Sequence, residues 1–485
     1  MSASNAIVHK GPTDASPTDL WLYRWGVVLL TGLFALSIVV VLFTTWQIDW
    51  ALPFIPVLLI AGIAAWWLFQ HPLINLAVVL TSFVMIADFE EGIQLTEVFY
   101  GLYYMTFLAV WFSKRLFLDP EPVFKRVEEK ALWTFLILVT LSLPLTYLFA
   151  GTFKLWLGEW LSYSLLGFYF PVKEAIEKDK NGLKVVVGVV LVVGLIILAR
   201  NGLQYMRALS DASQAWQVIK GRAVTNEGLL MVPAFFAFAL YLKSTALQHK
   251  VFFAGLFSAF LGGLIVTQSR GYWVAFILGM AVVFWLVPRA EKRRILITSG
   301  ITVVVVSLAA ILILGDFLTL VISGLLDRFL SLGSATTKDI SLVNRFLETG
   351  AVWEHIKTNP ILGHGMGVSY QFYDITYKMT DAKPFIHNGY MALWYKFGVW
   401  GPALILSFLV ACVRKGIIVF KGFKGISLES AACLAVVGSF FAFSLSANTS
   451  NPFFINDTMF IFAVMTGCAA GCYSRWKSGL SGSTQ

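Results

Sequence analysis

Charged residues are scarce in this chain of 485 residues. Asp, Glu, Lys and Arg make up 13% of it, whereas soluble domains carry about 25%. Hydrophobic residues make up 58%, and the mean hydropathy is +0.77. Apolar windows of about 20 residues, long enough to cross a bilayer, recur along the whole chain. This composition excludes an ordinary soluble domain and predicts an all-α, polytopic integral membrane protein, because backbone in lipid must satisfy its own hydrogen bonds.

Cysteine is also rare. The four cysteines fall in apolar windows, and their spacing fits neither a CxxC motif nor a set of metal ligands. We therefore expect them to be small packing residues. We also expect no cleavable signal peptide, since the first apolar run is of full length and lacks a small-residue exit.

The apolar windows predict about fourteen transmembrane helices, and twelve if two of these windows do not cross the membrane. The weakest window, 157–172, contains Glu159 and either crosses the membrane or lies in its interface. The predicted regions are a cytoplasmic tail (1–24), an N-terminal set of membrane helices (25–315), a long outer loop with amphipathic helices (316–387), a C-terminal set of membrane helices (388–473) and a second cytoplasmic tail (474–485).

The basic residues behind the net charge of +9 indicate how the chain is oriented in the membrane. Most lysines and arginines at the ends of the apolar windows fall on the cytoplasmic side if both termini are inside the cell. The basic residues therefore indicate topology, and we expect no nucleic acid as a partner.

The predicted outer loop has features of a folded segment. Residues 317–332 have helical apolar spacing that suits a membrane surface. Residues 341–359 read as a second helix, with Ser341 as a possible cap and Pro360 after its end. The stretch LGHGMG (362–367) then supplies three glycines for tight turns. Function is expected in such a loop.

Polar residues stand where apolar helices enter from the outer face. Arg222 and Asn226 precede one window, Arg270 lies in a tight hairpin, and His387 and Asn388 open the window at 388–413. Helix N-termini bind anions through their unpaired N–H groups, and the guanidinium fork suits phosphate. The pattern predicts an outer pocket for a phosphate or diphosphate.

Several of these residues also have simpler alternative roles. Arg222 would contact lipid headgroups, and Arg345 of the second loop helix would either reach the anion or pair with Glu348. His387 would act as a general base in its neutral form or only cap a helix, and His364 is a weaker catalytic candidate. The acidic group at 88–91 lacks histidine ligands, so we expect no metal and no cofactor.

The order and spacing of these polar residues resemble those of the O-antigen ligase and polymerase superfamily of bacterial envelope enzymes. His387, Asn388 and Gly398 fall on its signature of His, then Asn, Ser or Gln, two residues, Leu, six residues and Gly, with Met391 in place of leucine. Its Ser-Arg-Gly hairpin resembles Ser269-Arg270-Gly271.

The remaining motifs occur in the family's order. Its arginine-bearing outer helix, followed by proline and a glycine-rich stretch, resembles Arg345, Pro360 and the LGHGMG segment, while Arg222 and Asn226 resemble its upstream pair. The likeness covers about 180–470, and the N-terminal third is similar only as a set of membrane helices.

The resemblance implies a GT-C-like membrane glycosyltransferase of the bacterial inner membrane. Its donor would be a glycan on undecaprenyl diphosphate, and its acceptor a sugar hydroxyl of lipid A–core (ligase) or of another lipid-linked glycan (polymerase). Transfer would be inverting and metal-independent. His387 would activate the acceptor. The diphosphate would be bound by Arg222, Arg270 and Arg345, and the supporting residues would be Asn388, Asn226 and Tyr390.

Two other classes remain open. A transporter or flippase of lipid-linked sugars would need polar groups through the membrane, whereas the charges here crowd one face. A tethering protein would give no reason for a histidine and arginines at helix starts.

Overall fold

The protein is described by a computed structural model over residues 67–85, 95–118, 124–210, 227–314, 322–323, 326, 340–375, 378–423, 425 and 427–479. It divides into two units, Met1–Lys125 and Arg126–Gln485. Within the described residues helices dominate, so the predicted all-α membrane class is confirmed. Three predicted segments lie wholly or almost wholly outside these ranges: the windows at 25–46 and 51–69 and the surface helix at 317–332.

The first unit contributes two helices to this description. They are α1 (Pro72–Met85) and α2 (Leu95–Phe117). The Tyr103 hydroxyl of α2 donates to the buried Asn75 side chain of α1, and Tyr100 donates to the Val79 carbonyl. The pair is thus fastened by hydrogen bonds as well as by apolar packing.

The second unit contains the other elements in the described ranges. In chain order they are α3 (Val127–Leu141), α4 (Leu143–Leu148), α5 (Phe153–Ser164), α6 (Tyr169–Lys178), α7 (Gly182–Ser210), α8 (Met231–Lys243), α9 (Leu247–Val266), α10 (Arg270–Leu286), α11 (Arg289–Leu314), α12 (Ile340–Thr358), β1 (Tyr370–Asp374), β2 (Met379–Lys383), α13 (Gly389–Phe397), α14 (Trp400–Gly422), α15 (Leu428–Ser446) and α16 (Asn456–Lys477). Two short 3₁₀ turns, Leu165–Phe168 and Glu227–Leu230, precede α6 and α8.

Five helical segments in the described ranges are long and apolar enough to cross a bilayer. They are Val127–Leu148, Gly182–Arg207, Leu247–Val266, Trp400–Gly422 and Leu428–Ser446. Three shorter apolar helices, Pro72–Val84, Gly228–Lys243 and Arg270–Leu286, accompany them. The total of 12 to 14 spans stays a prediction.

The predicted span at 388–413 is wrong as a single helix. The structure breaks it into α13 and α14 at Gly398, whose φ is +60°. A Cβ at this position would stand 2.0 Å from the Ile361 carbonyl oxygen, so only glycine fits the corner. Apolar composition did not reveal this break, since both helices are apolar.

The window at 157–172 is also interrupted. Helix α5 ends at Ser164, a 3₁₀ turn follows, and Pro171 lies in the first turn of α6, where a missing N–H is tolerated. Glu159 is buried in α5, and its partner is described below.

The long loop folds around its own apolar core. Helix α12 confirms the helix predicted at 341–359, although it begins at Ile340, so Ser341 lies inside its first turn. An unpredicted antiparallel hairpin, β1–β2, follows and pairs Tyr370 with Lys383 and Asp374 with Met379. The core joins α12, the hairpin and α13 through Val352, Ile356, Val368, Tyr370, Phe372, Ile386, Ala392 and Tyr395.

Candidate active site

His387 stands directly before α13, at the edge of the loop core. Its side chain is 41% exposed, and its Nδ1 lies 2.7 Å from Oε2 of Glu348. The backbone N–H of His387 also donates to Oε1 of Glu348, over 3.3 Å. The imidazole is therefore fixed on one side and open on the other.

Glu348 is a buried carboxylate on α12, with 3% of its side chain exposed. A third donor, the hydroxyl of Tyr370 on β1, reaches Oε1 of this carboxylate. Burial, and then the nearby Glu348 charge, raise the pKa of Tyr370 well above its usual range, so its hydroxyl keeps the proton that it donates. Three donors thus satisfy a group that would otherwise be costly to bury.

This arrangement selects the tautomer of His387. A carboxylate accepts only, so Nδ1 carries the proton that it shares with Glu348, and Nε2 of the neutral ring keeps its lone pair. If Nε2 takes a proton, the Glu348 carboxylate stabilises the resulting imidazolium, as in carboxylate–histidine pairs of hydrolases. The pair has the chemistry of a general base.

The signature spacing between His387 and Gly398 describes one short helix. Asn388 is the N-cap of α13, and its Oδ1 accepts from the Met391 N–H over 3.1 Å. Gly398 ends the nine-residue helix with a left-handed φ. The supporting role predicted for Asn388 is therefore that of a helix cap in this geometry.

The LGHGMG stretch caps the other end of α13. The N–H groups of His364 and Gly365 donate to the carbonyls of Tyr395 and Lys396. Carbonyls in the last turn of a helix have no partner within the helix, so these bonds satisfy them. Gly363, Gly365 and Gly367 have φ values of +74°, +88° and +68°, so the predicted tight turns are present. The stretch therefore turns tightly and caps the C-terminus of α13.

His364 is a structural residue in this arrangement. It is buried, stacks on the Tyr395 ring at 4.6 Å, and its Nε2 lies 3.1 Å from the Thr358 hydroxyl. Burial lowers the pKa of His364, which favours the neutral ring.

A segment between α15 and α16, residues 447–451, touches the start of α13. Its Ala447 carbonyl accepts from the Gly389 N–H, and its Asn451 amide donates to the Ile386 carbonyl, each over 2.8 Å. Tyr390 donates to the Ser444 carbonyl over 2.8 Å. This segment was not predicted, although its polar run SANTSN, between two apolar windows, is a visible signal in the sequence.

The same segment meets the hairpin that carries Arg270. The Tyr272 hydroxyl lies 3.4 Å from the Ser450 hydroxyl, and a Cβ on Gly271 would stand 3.7 Å from the Thr449 hydroxyl oxygen. The structure therefore brings the Ser-Arg-Gly hairpin and the start of α13 into contact with the same short segment. Arg270 is half-buried at the first position of α10.

The other predicted anion-binding residues are only partly described. Arg345 is half-buried on α12, one turn before Glu348, so it shares the helix that fixes His387. Arg222 and Asn226 lie outside the described residues, although Gly228 packs so closely on the Tyr272 ring that a Cβ there would stand 2.9 Å away.

A buried ion pair holds α13 from the side. Nζ of Lys396, whose side chain is fully buried, lies 2.6 Å from each carboxylate oxygen of Glu159 on α5. The sequence showed both residues inside apolar windows but did not show that they pair, because they lie 237 positions apart. A charge within an apolar window is a signal to search for its partner.

The four cysteines, Cys412, Cys433, Cys468 and Cys472, are free and buried, as expected for packing residues. Among the described residues, no group of three or more His, Cys, Asp or Glu side chains is arranged to hold a metal ion.

The described chain is thus a helical membrane protein whose histidine–carboxylate pair and arginine-bearing hairpin meet one connecting segment. Residues 254–406 match the family model described as O-Antigen ligase. The matched range contains Arg270, Arg345, Glu348 and His387, and it confirms the resemblance to the O-antigen ligase and polymerase superfamily. No curated protein matches the chain.

Proposed function

We propose that the protein transfers a glycan from undecaprenyl diphosphate to a sugar hydroxyl at the periplasmic face of the bacterial inner membrane. The acceptor is lipid A–core or another lipid-linked glycan, which corresponds to a ligase or a polymerase. Both termini lie in the cytoplasm in this proposal, as the distribution of Lys and Arg predicts.

The observation that carries the proposal is the 2.7 Å contact between Nδ1 of His387 and the buried Glu348 carboxylate. It leaves Nε2 as a proton acceptor on the exposed side of the ring. A helix cap alone would not need a buried carboxylate behind the imidazole, since the capping contact is made by Asn388.

The reaction follows from these groups. Nε2 of His387 takes the proton of the acceptor hydroxyl while that oxygen attacks C1 of the donor sugar. The bond between C1 and the diphosphate oxygen breaks, and undecaprenyl diphosphate leaves with the electron pair. Attack from the opposite side inverts C1. Arg270, Arg345 and Arg222 hold the diphosphate and balance its charge, so the step needs no metal.

The test is glycan transfer by purified protein. Wild type is incubated with an undecaprenyl-diphosphate-linked oligosaccharide and with lipid A–core or a second lipid-linked glycan, with and without chelator. We expect a new glycosidic product in both conditions, with the accepted acceptor distinguishing ligase from polymerase. His387→Ala should lower the rate by about 10²–10⁴-fold, the range of general base catalysis, and still bind the donor.

The control is His249→Ala, which removes an exposed histidine at the start of α9 and should keep wild-type activity. Full activity of His387→Ala would contradict the proposal. In cells, loss of transfer should leave the lipid-linked donor on the outer side; accumulation on the inner side would instead favour the flippase alternative.

A further inference from the structure

Several polar atoms are buried near the end of α7 and in the hairpin that carries Arg270. Gln204 and Tyr205 are consecutive residues of α7, and Arg200 lies one helical turn before Gln204. The Tyr205 hydroxyl faces the side chain of Gln268, in the turn between α9 and α10. We call Gln204, Tyr205 and Gln268 the amide cluster. It ends two residues from Arg270.

The amide cluster has unused hydrogen-bonding capacity. Both polar atoms of the Gln268 amide, the Tyr205 hydroxyl and Oε1 of Gln204 are buried, and in the described part of the chain none of these atoms has a hydrogen-bond partner. Tyr205 and Gln268 lie side by side without meeting the geometry of a hydrogen bond. Folded proteins rarely leave such groups unsatisfied, so each unsatisfied group needs an explanation, and a bond supplied by a bound molecule is one.

Gln268 is also held in an unusual backbone conformation. Its φ is +54°, in the left-handed region that residues other than glycine and asparagine seldom adopt. Its side chain is almost fully buried, with 1% exposure. Strain together with an unsatisfied amide at one residue is typical of ligand-binding turns rather than of turns that only connect helices.

The charge balance of the cluster indicates a neutral ligand. Arg200 interacts electrostatically with Asp457, which lies in the first turn of α16, so its guanidinium charge is compensated inside the protein. The remaining groups are two amides and a phenol, which exchange hydrogen bonds with hydroxyl and acetamido groups. An anion would find its cationic partner at Arg270 instead.

We propose that the amide cluster is a subsite for the sugar ring that is joined to the carrier diphosphate. This inference rests on the proposed function, because it places the sugar beside a diphosphate held by Arg270. The polar atoms are closed off from solvent in this structure, so the Gln268 turn opens toward the donor when it binds, exchanging its strained backbone and unsatisfied amide for contacts with sugar hydroxyls.

The test compares two probes that differ only in the sugar. Dissociation constants of purified protein are measured by tryptophan fluorescence for undecaprenyl diphosphate and for undecaprenyl-diphosphate-linked N-acetylglucosamine. Gln268→Gly removes the amide and relieves the backbone strain, and Tyr205→Phe removes only the hydroxyl. We expect each variant to bind the sugar-linked carrier roughly tenfold more weakly, and the bare carrier within about twofold of wild type. The melting temperature of Gln268→Gly should be no lower than that of wild type.

The matched control is Ser258→Ala in α9, which removes a buried hydroxyl that donates to Thr302 and should change neither constant. Equal weakening of both probes in Gln268→Gly, or no weakening of either, would overturn the subsite while leaving the proposed function intact. A wild-type protein that binds neither probe would contradict the proposed function and the subsite together.

Discussion

Glu348, which contacts His387, and Gln268, two residues before Arg270, are both buried polar residues, but their hydrogen bonding differs. The Glu348 carboxylate receives three donors and fixes His387, whereas both ends of the Gln268 amide are unsatisfied and its φ is +54° within the described chain. On the His387 side, the protein itself supplies the hydrogen-bond partners of the buried carboxylate. The side next to Arg270 has bonds left for a ligand to make.

This difference fits the demands of transfer chemistry. A general base must be held in place before the substrate arrives, because a small displacement of the reacting groups lowers the rate steeply. A binding turn gains selectivity if its polar groups are satisfied only by the correct ligand. The two sides are therefore expected to respond differently to substitution.

The largest effect is expected from breaking the buried ion pair behind α13. Lys396→Met leaves the Glu159 carboxylate buried without its partner, which should lower the free energy of unfolding by about 3–5 kcal/mol. The measurement is thermal unfolding in detergent. The double variant Lys396→Met/Glu159→Gln removes both charges and keeps an acceptor for the Gly367 N–H, so it should recover most of the loss. An unchanged melting temperature in the single variant would show that the pair does not hold α13.

An intermediate effect is expected on the other side of the site. Arg270→Lys keeps the charge but removes the planar fork, so the diphosphate loses a paired contact. Donor affinity should fall by about 1.5–3 kcal/mol, the range for hydrogen bonds to charged groups, and the melting temperature should stay constant. Arg207→Lys, at the exposed last turn of α7, is the control. Wild-type donor affinity in Arg270→Lys would remove Arg270 from the diphosphate site.

The smallest effect is expected at the helix cap. Asn388→Ala removes the acceptor for the Met391 N–H and should cost about 1 kcal/mol of stability. Asn388→Asp keeps a capping oxygen and should lose much less, as measured by the same unfolding assay. Equal losses in the two variants would mean that Asn388 does more than cap α13.

The sequence was sufficient for the features that depend on local pattern. Apolar windows predicted the helices, the Pro360 boundary predicted the end of α12, and the glycine-rich stretch predicted the turns that the structure contains. His387, Asn388 and Arg270 drew attention because polar residues at the start of apolar helices are unusual. These signals need only neighbouring residues.

Features that depend on contacts across long separations were missed. Glu348 appeared as a possible partner of Arg345 on its own helix, whereas it contacts His387, 39 positions away. The break at Gly398 follows from the approach of Ile361, and the β1–β2 hairpin packs on a loop core that no single window defines. No pattern in a window of neighbouring residues records which distant side chain will fill a given space.

The most direct test of the proposed general base, the Glu348–His387 pair, is the kcat of the Glu348→Gln variant. Glutamine keeps the shape of the side chain but removes the charge that stabilises a protonated His387. We predict that kcat for glycan transfer falls by about 10²–10⁴-fold, while the donor dissociation constant stays within about twofold of wild type. Glu354→Gln, which alters an exposed carboxylate on the same helix paired with Lys357, should leave both values unchanged. A Glu348→Gln enzyme with the kcat of wild type would contradict the claim that the Glu348–His387 pair is the general base.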